Sequence, residues 1–248
     1  MSRSPTVLHP LTLPGLLDYI LATQSGTAPT LLVVCSSRGA FLEDLLEALQ
    51  HEQTEHRTSR IDDLLTPTLF NLFTTQHVKL AFCPSVQTLL AYLTACGRPR
   101  TEPVGGPEGR ERLVLVNPLA MHAPSTSFSA QGLSRTFAAA TEAALSSGAL
   151  LNIVECQGKQ RRHEEHGDGH EDADMDAGDE QGRAEAEAKD PWDQDVPILN
   201  VSARRYGSGS SDRAWAGRTV TARRVAGRWF RFHKMDDEQT CGTIGRES

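Results

Sequence analysis

The chain lacks any apolar run approaching the roughly 20 residues that span a bilayer. Its first stretch, MSRSPTVLHPLTLPG, is interrupted by Pro5, Pro10 and Pro14 where a signal peptide needs an unbroken apolar region. Both absences predict a soluble, intracellular protein with no membrane partner. A CxxC pair is missing as well: Cys35, Cys83, Cys96, Cys156 and Cys241 are odd in number and widely scattered. That pattern excludes a disulfide framework and a zinc knuckle and leaves reduced thiols as the expectation. His163, His166 and His170 lie near one another, but not in HExxH spacing, so they predict solvated side chains and no metal.

What the chain has is enough apolar material for one substantial core: 248 residues, 38% of them hydrophobic. Its net charge of −7 hides two opposed populations. From His163 to Asp195 there are 14 acidic residues against two basic ones, almost no aliphatic side chains and no period. Such a segment cannot bury enough apolar surface to offset the entropy of ordering, and it is expected to lack regular structure. Between Ala203 and Lys234 the sign reverses, with nine basic residues and one acidic. The composition divides the chain into an N-terminal extension (1–29), a core (30–156), an acidic disordered insertion (157–196), the last strands of the core (197–235) and a flexible tail (236–248).

Strand and helix patterns alternate. TLLVVC (30–35), HVKLAFC (77–83), RLVLVN (112–117) and ALLNIVEC (149–156) are β-branched, near-continuous apolar runs. Between them GAFLEDLLEALQHE, SVQTLLAYLTAC and SFSAQGLSRTFAAATEAALSSG read as helices, the last two closed by Gly97 and Gly148, and IDDLLTPTLFNLFTTQ as a turn with a short helix. After the acidic segment, PILNVSAR and a hairpin of RTVTARRV with RWFRFHK, turning at Ala226 and Gly227, complete the pattern. Apolar strands separated by helices imply a mostly parallel sheet covered on both faces, a three-layer α/β fold with a C-terminal antiparallel hairpin. Before the first of these strands, Leu13, Leu16, Leu17 and Ile20 recur at helical spacing and are expected to pack on the core.

The stretch LLVVCSSRGAFLEDLLEAL begins as a phosphate-binding loop does: strand, small Gly-containing turn, helix. A GxxxxGK[ST] loop needs its Lys for the β and γ phosphates and its Ser or Thr for Mg²⁺. Here Ser36, Ser37, Arg38 and Gly39 form the turn, but Ala40 and Phe41 stand where Lys and Ser/Thr belong. Arg38 precedes the glycine and points from a different part of the turn. Cys35 has no local His to activate it and reads as a structural thiol. The third apolar strand ends at Asn117, where phosphoryl-transfer ATPases place an Asp on the metal. Two defects in one constellation argue against catalysis, and no cofactor is expected.

The stretch LVLVNPLAMHAPSTSFSAQGLSRTFAAATEAALSSGALLNIVEC resembles the core of RecA-like recombinases and their paralogues. It has a strand, a loop, a turn similar to the family's GRGELSxRQ at Gln131, Gly132, Leu133, Ser134 and Arg135, a long helix and the next strand. WAGRTVTARRVAGRWFRF resembles the family's late hairpin of Arg-bearing strands. The departures fall on the nucleotide site, at Ala40, Phe41 and Asn117. The resemblance implies a non-catalytic nuclear subunit of a Shu-type recombination-mediator complex, bound to a SWIM-domain protein and a recombinase on single-stranded DNA. The alternatives are a RecA-like subunit of an Elongator-type complex acting on tRNA and a divergent NTPase.

Arg204, Arg205, Arg218, Arg223, Arg224 and Arg228, with Trp229 as a base-stacking platform, are the candidates for nucleic-acid contact. Alternation along a strand divides these charges between two faces. The acidic insertion falls about where the family carries a DNA-contacting loop, and its charge repels phosphates.

Overall fold

The structure of the chain is a computed structural model, and it describes residues 4–24, 28–54, 66–96, 111–157, 190–199 and 218–235. The chain opens with strand β1 (Thr6–Thr12), helix α1 (Leu13–Thr23) and strand β2 (Thr30–Val34). Helices α2 (Arg38–Thr54) and α3 (Leu69–Thr75) lead to β3 (Val78–Phe82), and α4 (Val86–Cys96) to β4 (Arg112–Val116). The short α5 (Pro118–His122) and long α6 (Ala130–Ser147) then lead to β5 (Leu150–Gln157). A 3₁₀ turn at Pro191–Asp193, β6 (Asp195–Pro197), β7 (Thr219–Thr221), α7 (Ala222–Ala226) and β8 (Arg231–Lys234) follow.

Six strands form one sheet in the order β3-β2-β4-β5-β1-β8, every pairing parallel. The inner strands β2, β4 and β5 are near-continuously apolar, and both of their faces are covered. On β4, Leu113 and Leu115 enter a core with α4, α6 and α7. Val114 and Val116 enter a second core with Leu13, Leu16 and Ile20 of α1 and Phe41 of α2. The expected mostly parallel α/β architecture is therefore observed. Local chemistry sets the helix ends: the Ser129 hydroxyl accepts the Gly132 N–H (3.0 Å) at the start of α6, and Gly148 closes it in the left-handed region (φ 71°).

Three expectations are corrected. Residues 1–29 are not an extension, because Thr6–Thr12 lies between β5 and β8 inside the sheet. Pro10 obscured it, and the register shift between Leu8 and Leu11 is where a residue without an N–H fits. The expected C-terminal antiparallel hairpin is present, but not between RTVTARRV and RWFRFHK: Ala222–Ala226 is helical, capped by the Thr221 hydroxyl. The antiparallel pair at this end joins β7 to β6, while β8 pairs in parallel with β1. Finally, the end of the acidic segment is structured. Residues 158–189 lie outside the described residues, but Trp192 is fully buried, edge-on to Phe232 at 5.5 Å. That one aromatic side chain supplies apolar burial at the segment's end. Among the described residues no helix is long and apolar enough to cross a membrane, and no cluster of three or more His, Cys, Asp or Glu has the arrangement of a metal site.

Candidate functional site

In open α/β sheets ligands bind at the carboxyl ends of strands, in the crevice between neighbours whose following segments leave toward opposite faces. Here three neighbouring pairs meet that condition, β3 with β2, β2 with β4 and β5 with β1, because α4 leaves β3 toward the face opposite α2. α2 leaves β2 toward one face and α5 leaves adjacent β4 toward the other; α1 leaves β1 toward the first face, whereas the segment after β5 brings Trp192 to the second. Each crevice is entered by a strand-to-helix turn, at Cys35–Gly39 and at Thr12–Gly15.

In both turns the hydroxyls are engaged in bonds within the chain. Ser37 Oγ accepts the Ala40 N–H at 3.2 Å, the Ser37 carbonyl accepts the Phe41 N–H, and Ser36 Oγ donates to the same carbonyl. Phe41 points into the core, edge-on to Phe82 at 5.7 Å. A Cβ added at Gly39 would meet only Ser37 Oγ, at 4.0 Å, so no close backbone approach requires glycine there. Arg38 is exposed. In the second turn Thr12 Oγ1 takes the Gly15 N–H at 3.1 Å, Pro14 has no N–H to offer, and Leu16 is fully buried where a lysine would have to project.

Asn117 stands at the end of β4 in the left-handed region (φ 58°, ψ 44°), a conformation Asn tolerates better than most residues. Its Oδ1 accepts the Cys156 N–H of β5 at 2.8 Å and its own N–H bonds the Val154 carbonyl. The side chain that would face a metal in an ATPase instead ties two strands together. Beside it lies Glu155, buried in β5, whose carboxylate accepts the backbone N–H groups of Leu119 and Ala120 and so caps α5. Burial pushes Glu155 up to about 8, partly opposed by those two hydrogen bonds. Burial, and secondarily Glu155, pushes the Cys35 thiol well up, and Cys156 rises for the same reasons. Both stay protonated thiols, not nucleophiles. His122 is fully buried with Nε2 at 2.9 Å from Thr136 Oγ1, and burial lowers its basicity.

Glu155 and the β1–α1 turn were missed in the sequence. The signals were present: a lone acid inside an apolar strand, and a Thr three residues before a Gly at the head of a helical period.

The residues compared with GRGELSxRQ lie at the start of α6. Gln131, Ser134 and Arg135 line a cavity of about 440 Å³ floored by Val86 and Leu90 of α4. Gly132 is forced by packing, since a Cβ there would sit 2.0 Å from the Ser127 carbonyl oxygen.

The arginine candidates separate. Arg223 Nη2 pairs with Asp190 Oδ2 at 2.6 Å and its Nε with Asp193 Oδ1 at 2.9 Å, while the guanidinium lies 4.7 Å from the Phe232 ring centre. The last residues of the acidic segment thus occupy Arg223. Arg218, Arg224 and Arg228 are exposed. Trp229 is half-buried against the α4–α6 core. Arg204 and Arg205 lie outside the described residues. No protein-family model matches the chain, and no curated protein matches it.

Proposed function

We propose that the chain is a non-catalytic RecA-like subunit of a nuclear recombination-mediator complex. With a SWIM-domain partner, it assists recombinase assembly on single-stranded DNA in homologous recombination and DNA repair. The observation that carries this reading is the state of the two turns that enter these crevices. The turns that would bind a nucleotide have no lysine, their hydroxyls bond within the chain, and Asn117 bridges β4 to β5. A sheet with this arrangement works as a scaffold. Exposed Arg218, Arg224 and Arg228, together with Arg204 and Arg205, supply the DNA affinity, and Arg223 holds the acidic segment's end against the sheet.

The test is a calorimetric titration with ATP and ADP, with and without Mg²⁺, alongside purification of the complex from cells. Absence of nucleotide binding, with a SWIM-domain protein and a recombinase co-purifying, is the expected result. Submicromolar Mg²⁺-dependent binding would instead identify a divergent NTPase, and tRNA-modifying partners an Elongator-type role.

A further inference from the structure

Eight large apolar side chains are well exposed among the described residues, and seven of them lie between residues 42 and 80. These are Leu42 and Leu46 of α2, Leu69, Phe70, Leu72 and Phe73 of α3, and Leu80 of β3, each at least half exposed. Among the described residues β3 is the edge of the sheet on this side. Five leucines and two phenylalanines exposed to that extent present apolar surface of the same order as the roughly 800 Å² per partner of a standard protein interface. Monomeric proteins seldom leave such surface beside an unpaired strand.

The hydrogen-bond phase of β3 says what can pair with it. Thr30 N–H bonds the His77 carbonyl and Cys83 N–H bonds the Val34 carbonyl. In a parallel ladder these two bonds commit Lys79 and Ala81 to β2 and turn the N–H and C=O of Val78, Leu80 and Phe82 outward. Leu80 aligns with Leu32, so the side chains of Val78, Leu80 and Phe82 share the face of the α1–α2 core, and Lys79 and Ala81 share the other.

We infer that the β3 edge is a homodimer interface, in which a second copy of the chain pairs antiparallel across a two-fold axis at Leu80. In that register Leu80 meets Leu80 of the second copy, and Val78 meets Phe82. All three outward N–H groups and all three outward carbonyls of each strand are satisfied. One face of the seam is wholly apolar. On the other, Lys79 meets Ala81, so the two lysines are never directly opposed; a shifted register would lose outward hydrogen bonds or misplace these pairs. Because the axis is perpendicular to the sheet, α2 and α3 of both copies lie on the same side of the seam. The twelve-stranded sheet that results leaves β8 free at both ends. This inference does not depend on the recombination reading.

The experiment is sedimentation equilibrium of the full chain over a wide concentration range, with Leu80→Lys and Leu80→Glu prepared in parallel and circular dichroism melts as the folding control. Wild type is expected to dimerise. Each variant alone should weaken the dimer by about 100-fold, through like charges on the axis, and an equimolar mixture of the two should restore it. Should either variant fold poorly, amide exchange of the wild type read by NMR gives a second check. The Val78, Leu80 and Phe82 amides should gain protection with concentration, while Lys79 and Ala81 stay protected throughout. A wild type that remains monomeric, including one that instead takes up a different protein at this edge, would overturn the inference. So would a dimer indifferent to both substitutions.

Discussion

Asn117 Oδ1 lies 2.8 Å from the backbone nitrogen of Cys156, so one side chain at the end of β4 holds the neighbouring strand where a metal ligand would otherwise face open solvent. Asn117→Ala should cost about 2–3 kcal/mol, combining the lost hydrogen bond with the penalty of a Cβ in the left-handed region without Asn's local bonding. Asn117→Gly should cost about 1 kcal/mol, because only the hydrogen bond is lost. Urea unfolding of both variants separates the two contributions, and equal losses would contradict the assigned role of the backbone conformation.

Glu155 makes stability fall with pH across a defined window. Its carboxyl is raised from the ordinary 4.5 to about 8 in the folded chain. The folded state therefore holds a proton that the unfolded state has released, and stability declines between about pH 4.5 and 8, by on the order of 5 kcal/mol at most. His122 and His9 act in the opposite sense: burial lowers both, so their contribution is lost as pH falls through the usual histidine range. Glu155→Gln keeps a side-chain acceptor for α5 and removes the first slope. Melts between pH 5 and 8 should show stability rising with pH in the variant, whereas in the wild type the slopes oppose each other.

Two glycines that look alike in the sequence should respond oppositely to alanine. Gly132→Ala places a Cβ against the Ser127 carbonyl and should destabilise by about 3 kcal/mol or more. Gly39→Ala meets open space in the first turn of α2 and should be neutral or stabilising by about 0.5–1 kcal/mol. Thermal denaturation of the pair is sufficient, and a large loss at Gly39 would argue for a constraint on that turn beyond its helix start.

The arginines should divide between stability and nucleic-acid affinity. Arg223→Ala removes the contacts to Asp190, Asp193 and the Phe232 ring and should cost about 1–2 kcal/mol, moderated by the partial exposure of the pairs. Arg224→Ala and Arg228→Ala should leave stability within about 0.5 kcal/mol. Each should lower the logarithmic salt slope of single-stranded DNA binding by about 0.7. Deleting residues 163–189, which spares Asp190, Trp192 and Asp193, should tighten that binding by removing competing carboxylates. A salt series on single-stranded DNA with the four proteins distinguishes these effects. An unchanged slope in Arg224→Ala and Arg228→Ala would assign those side chains to protein contacts.

The alternation of strands and helices, the two-faced burial of β2, β4 and β5, the Gly148 end of α6 and the degeneracy of the loop after β2 were all legible in the residues. Each is written in local patterns: near-continuous apolar runs, Gly148 just past the last helical turn, an Ala and a Phe in place of Lys and Ser. The position of β1 was not legible, because strand order depends on pairings between residues about 145 apart and a proline concealed the local pattern. The helix at Ala222–Ala226 defeated a strand pattern because tertiary packing of Ala222, Val225 and Ala226 against α6 overrode local propensity. The same holds for the site. Composition shows that a cation is missing, but only the folded chain shows where the remaining polar groups went. Asn117 reaches Cys156, Glu155 reaches Leu119 and Arg223 reaches Asp190 across gaps of 33 to 39 residues, and long-range hydrogen bonds of this kind leave no periodic trace in the sequence.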